Sequence, residues 1–161
     1  MEESLWLQLE MLPISQEIGA TWWFPLLESL HVLGLTIMLG ALLMLDLRLM
    51  GLAAMRYSVS SMNRELLPWS ISAFAVVVIT GIGMFVTRAS AHIENPAFII
   101  KMLCMGLAGL NIAWFHFSLL RTIDHWDTTA NLPVSVRFAG MASLILWCAV
   151  TLAGRWVGHL I

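Results

Sequence analysis

The chain has 161 residues, 60% of them hydrophobic and 11% charged, with a net charge of −2, and a mean hydropathy of +0.86. A soluble domain carries about 45–50% apolar and about 25% charged residues, so the composition excludes a water-soluble globule and points to an integral membrane protein. The slightly negative balance gives no basis for nucleic-acid binding.

Residues 1–24 form a leader that holds Glu2, Glu3, Glu10 and Glu17 and no Lys or Arg. A secretory signal peptide starts with a basic region, so this is not one. Its apolar run "SLWLQLEMLPISQEIGATWWF" is broken by Pro13 and Gly19 and is too short to span. The expectation is a short interfacial helix, with Trp22, Trp23 and Phe24 as a headgroup anchor.

Crossing about 30 Å of hydrocarbon takes about 20 mostly apolar residues as a helix. Four segments qualify, at about 25–47, 69–86, 97–120 and 135–158. Pro25 opens the first, and Pro68, Pro96 and Pro133 precede the others. A helix start is where a missing N–H costs nothing. The expected fold class is all-α: an integral membrane four-helix bundle, up-down-up-down, in one domain over residues 1–161. Cys104 and Cys148 both lie in apolar runs and read as small hydrophobes rather than a disulfide.

Lys and Arg set the orientation. One side carries Arg48, Arg56, Arg64, Arg121 and Arg137; the side with both termini carries only Arg88, Lys101 and Arg155. The expected location is the bacterial inner membrane, multi-pass, with both termini outside.

The first span carries four ionisable groups, Glu28, His31, Asp46 and Arg48. Glu28, His31, Leu35, Met38, Leu42 and Asp46 follow one another at steps of three and four, which predicts one polar stripe. His31 lies roughly 9 Å into the span at 1.5 Å per residue. The antiparallel path gathers Glu28, His31, Arg88, His92, Lys101, Arg155 and His159 in the outer third. His116 and His125 fall at the other end, His125 in the polar loop "RTIDHWDTTANLP".

Intramembrane ionisable groups face the bundle interior and find partners. The plain account is an ion-pair network, for instance Glu28 with Lys101 or Arg155. For His31 a second account competes: a neutral imidazole on an apolar helix suits an axial ligand of haem b. Arg155 and Arg88 would then pair with propionates, and Glu28 would order the ring or take a proton. Gly34, Gly40, Ala108 and Gly154 would admit a flat ring. Lys101, His92 and His159 are the alternatives for the second axial position. The 11 Met open a copper alternative, and His116 with His125 a second cofactor. The "GRWVG" step offers either packing within the chain or a contact between copies in a homo-oligomer.

The stretches "LESLHVLGLTIMLGALLMLDLRLMG", "NPAFIIKMLCMGLAGLN" and "MASLILWCAVTLAGRWVGHL" resemble an uncharacterised family of small bacterial four-helix membrane proteins, a domain of unknown function. More distantly, the first three helices are similar to HemJ-type protoporphyrinogen oxidases. The matching positions are His31, Gly40, Arg48 with Leu49, and Lys101. The Trp and Pro of that family's first helix are replaced here, where Thr36, Ile37, Met38 and Leu47 stand. CopD-type membrane domains share the broader pattern of a His and then a Gly. The HemJ resemblance implies haem at His31 and Lys101, and leaves open whether the chain is an oxidoreductase. The expectation is a membrane-embedded b-type haem protein in electron transfer or redox chemistry near the outer face. Its partners would be the lipid bilayer and either a quinone or a periplasmic redox protein. The competing expectations are a non-redox scaffold or transport subunit whose polar stripe is an ion path, and a copper-binding membrane protein.

Overall fold

A computed structural model describes residues 5–129 and 131–159; Glu2 and Glu3 of the leader lie outside them. Helices α3 (Trp23–Met50), α4 (Val59–Phe85), α6 (Pro96–Trp114) and α7 (Val134–Val157) are the long elements, and among the described residues there is no strand. A single 3₁₀ turn, Val86–Arg88, carries α4 on into α5 (Ala89–Glu94). Beyond Trp114, α6 continues through a π turn, Phe115–Leu119, and a 3₁₀ turn, Leu120–His125. All four long segments are apolar and long enough to cross a membrane. This is the expected all-α bundle of spans.

Local chemistry sets the helix ends. Gly51 takes the left-handed conformation (φ 76°) that closes α3, and its N–H reaches the Arg48 carbonyl at 3.1 Å. Asn95 caps α6 by accepting from the Ala97 N–H (2.9 Å), while its amide donates to the Val157 carbonyl (3.1 Å). One buried side chain therefore joins the start of α6 to the end of α7.

Two boundaries differ from the sequence expectation. Helix α4 starts at Val59, so Pro68 lies inside it rather than before it. Tertiary contacts hold the extra turns. Ser58 caps them, accepting from the Ser61 N–H. The Asp127 carboxylate accepts from the Ser60 N–H and hydroxyl at 2.7 and 2.6 Å. The leader is two short helices, α1 (Leu5–Glu10) and α2 (Pro13–Ala20), rather than one. Pro13 opens the second, and the Ser15 hydroxyl ties back across the break to the Leu9 carbonyl at 2.7 Å.

Helices α3 and α7 form the central pair; α4 packs on α3, and α6 on α7, whereas α4 and α6 scarcely meet. Glycines set two of these contacts by close approach. A Cβ at Gly34 would stand 2.9 Å from Val77 Cγ2 and 3.2 Å from the Ala73 carbonyl of α4. One at Gly140 would stand 3.0 Å from the Asp46 carbonyl of α3. Between the helices Met38, Ala73, Ala108, Trp147 and Val150 form one apolar core. A second, around Leu49, Val59, Phe115, Trp126 and Val136, fills the end away from the termini. That end is the far face below; the end carrying both termini is the terminal face.

Arg48 locks the far face. Its side chain is fully buried. Nε donates to the Tyr57 carbonyl at 2.9 Å and a terminal nitrogen to the Asp127 carbonyl at 3.0 Å. The guanidinium thus joins the loop after α3 to the loop before α7 through carbonyls, while the Asp127 carboxylate serves the start of α4.

Candidate functional site

His31 of α3 and Lys101 of α6 both lie toward the terminal face, each among its own neighbours. His31 is half-buried between α3 and α4. Its Nδ1 lies 2.9 Å from the Thr80 hydroxyl. That hydroxyl has one proton, and it goes to backbone, 2.7 Å from the Val76 carbonyl with Val77 at 3.2 Å. Thr80 must therefore accept from His31, which places the imidazole proton on Nδ1 and leaves the Nε2 lone pair free. The ring rests on Gly81, where a Cβ would stand 3.3 Å from Cε1.

Lys101 is half-buried on α6. Its stem lies along Gly154 of α7, with Cδ 3.5 Å from where a Cβ would stand. The ammonium sits 5.0 Å from the centre of the Phe98 ring. No ion pair joins Lys101 or Arg155 to Glu28.

An aromatic cap closes this end. Phe85 of α4 stacks on Phe98 at 5.4 Å, and His92 meets both rings edge-on at 5.7 Å. Trp6 of the leader packs on Phe85 at 6.1 Å. Glu10 fastens the leader, its carboxylate accepting from the Ser90 N–H (2.7 Å) and hydroxyl at the start of α5. Those two bonds hold the Glu10 carboxyl below the usual carboxylate range.

The other predicted site residues lie apart from this pair. His92 Nδ1 is 2.6 Å from the Arg88 carbonyl, and Phe98 touches both His92 and Lys101. Arg88, Arg155 and His159 are exposed. Glu28 is exposed as well, so the predicted Glu28–Lys101 and Glu28–Arg155 pairs do not form. The face of α3 toward α4 runs through Leu27, His31 and Gly34, with Leu27 packed on Gly83. Asp46, at the other end of the stripe, meets α7 instead, and Glu28 at the start of the stripe is exposed. His116 and His125 are exposed at the far face, where His116 meets Phe117.

Sequence reasoning missed Thr80, Gly81 and Phe98. Thr80 and Gly81 carried a signal: a hydroxyl beside a glycine in the outer half of an apolar span, about as far from the terminal face as His31. Among the described residues no three His, Cys, Asp or Glu side chains gather as a metal cluster. The ligand-capable set is thus one imidazole and one amine. A single free imidazole nitrogen, oriented from behind by a hydroxyl, matches what an axial haem ligand needs.

No curated protein and no solved structure matches the chain. A family of unknown function (DUF6644) matches residues 14–160, almost the whole chain. The protein is a member of that family.

Proposed function

We propose that this chain is a b-type haem protein of the bacterial inner membrane that acts in electron transfer or redox chemistry near its terminal face. The observation that carries the proposal is the 2.9 Å contact between His31 Nδ1 and the Thr80 hydroxyl; with that hydroxyl donating to the Val76 carbonyl, the imidazole proton belongs on Nδ1 and Nε2 is left to bind iron. His31 would hold the haem iron, and Lys101 is the first candidate for a second ligand. His92 and His159 rank behind it, since His92 is committed to the Phe85–Phe98 cap and His159 is exposed. Arg88 and Arg155, exposed at this face, suit haem propionates.

Haem supplies one-electron chemistry. The chain's own part is to hold the imidazole, to set its tautomer through Thr80, and to cover the face with Phe85, Phe98 and the leader. Hydrocarbon about 30 Å thick separates the two faces, so one haem at one face needs a soluble or lipid-borne partner to complete electron transfer. The excess of Arg at the far face supports termini on the outside, and a reporter fused after Ile161 should be active there.

The competing proposal, a transport subunit with an ion path along α3, draws on Asp46. Between His31 and Asp46 that stripe of α3 carries Leu35, Met38 and Leu42, so α3 presents no continuous polar path. Purified protein from haem-replete cells should show a Soret band and a reduced α-band typical of haem b, both lost in His31→Ala. Colourless protein with no porphyrin on extraction would refute the haem proposal.

A further inference from the structure

The leader reaches Lys101 through a relay of rings. Its two helices have 6 and 8 residues, and a helix shorter than about 12–15 residues is marginal in water by itself. Their position therefore depends on what they dock against. Joints lie at both ends of α2: Pro13 opens it, and Thr21, extended at φ −122° and ψ −173°, parts it from α3.

Docked, the leader rests on the turn from α4 into α5. The Glu10 carboxylate accepts from the Ser90 N–H at 2.7 Å and from the Ser90 hydroxyl. Arg88 and His92 add positive charge beside it. Trp6 meets Phe85 edge-on at 6.1 Å, and Phe85 stacks on Phe98 with the ring planes 21° apart. Lys101 Nζ lies 5.0 Å from the centre of the Phe98 ring. The leader also has a second place to rest. Leu5, Met11 and Ile14 are exposed, and such residues suit the headgroup layer, where short amphipathic helices lie. A lifted leader thus keeps its apolar side chains out of water, and a few contacts choose between the two positions.

We propose that the leader is a strap: latched by Glu10 on Ser90, it holds the Phe85–Phe98 stack against Lys101, and lifted, it opens that lysine to solutes at the terminal face. The latch is one carboxylate on an N–H and a hydroxyl, so losing the carboxylate frees the leader and the rings follow. The strap itself needs no haem; only its use in guarding an iron ligand rests on the proposed function.

Lys101 is the only lysine in the chain, so a water-soluble amine-acetylating reagent reads its exposure once the labelled peptide is identified by mass. The full chain is made in cells deprived of haem, so that no iron competes for the amine, and is placed in lipid nanodiscs. Glu10→Ala should speed acetylation of Lys101 roughly three- to tenfold, together with hydrogen exchange in residues 5–10. Ser90→Ala keeps the N–H and loses the hydroxyl, so it should give a smaller rise in the same direction, and it serves if Glu10→Ala fails to fold. Glu17→Ala removes an exposed leader carboxylate and keeps the latch, so it should change neither rate. Faster exchange in the leader with an unchanged rate at Lys101 would overturn the strap. Unchanged exchange and labelling in both latch variants, or an equal rise in Glu17→Ala, would overturn it too. The expected pattern in a protein that never takes up haem would keep the strap and remove only the proposed function.

Discussion

Replacing Arg48 with Met removes a buried side chain that joins the two far-face loops. The loss can be worked from its contacts. The guanidinium makes two well-formed hydrogen bonds, 2.9 Å to the Tyr57 carbonyl and 3.0 Å to the Asp127 carbonyl. A third contact, to Met55 Sδ at 3.9 Å, is too long to add much. A hydrogen bond from a charged donor contributes about 1.5–3 kcal/mol. Tyr57 is itself exposed, so water can reach its carbonyl, and the lower end of the range applies. The sum is about 3 kcal/mol for Arg48→Met. Arg48→Lys has a single nitrogen to offer and should lose about half as much. The assay is reversible unfolding in mixed micelles. It is paired with hydrogen exchange at residues 55–60 and 126–129, which should speed up in both variants. Asp127→Asn should be milder, because its carboxylate bonds Ser60 and not Arg48. A loss below about 1 kcal/mol for Arg48→Met, close to an ordinary surface substitution, would refute the lock.

Thr80→Val keeps the shape of the side chain and removes the acceptor behind His31. If His31 is an axial ligand, haem affinity in a Soret titration should fall about 10–100-fold, the usual effect of losing such a supporting bond. His31→Ala should abolish binding, and unchanged affinity in Thr80→Val would remove the tautomer argument. The leader's docking should depend on pH through Glu10. Its carboxyl lies below its ordinary value of 4.5 because the Ser90 N–H and hydroxyl favour the charged form. With the folded value depressed, the contribution is fully present above the unfolded value and is lost as pH falls through the folded one. Glu10 is largely solvent-accessible, so the stability effect is small, and the readout is local. Exchange in residues 5–10 should be slow at neutral pH, speed up only below 4.5, and be fast at all pH in Glu10→Ala.

The spans were legible because hydropathy is a property of the chain in one dimension. A stretch of about 20 apolar residues is a span whatever surrounds it, and the fold class followed from four of them. Depth was legible as well: a fixed rise per residue and a path that reverses at each loop place His31 and Lys101 at one end. The start of α4 was not legible, because its extra turns are held by Asp127, far along the chain, and no local pattern outweighs Pro68. Facing was not legible either. A span of nearly uniform hydrophobicity has no strong apolar stripe to orient it, so helix periodicity alone put Glu28, His31 and Asp46 on one line. Packing decided what each of them meets. Gly34 lets α4 come close on one side of α3, and Gly140 lets α7 come close on another. With these approaches His31 meets Thr80 of α4, Asp46 meets Ser143 of α7, and Glu28 at the end of the stripe stays exposed. The sequence by itself determined which polar groups share a depth; only the tertiary structure decided which of them share a face, because rotation about a helix axis is set by the neighbours that can approach it.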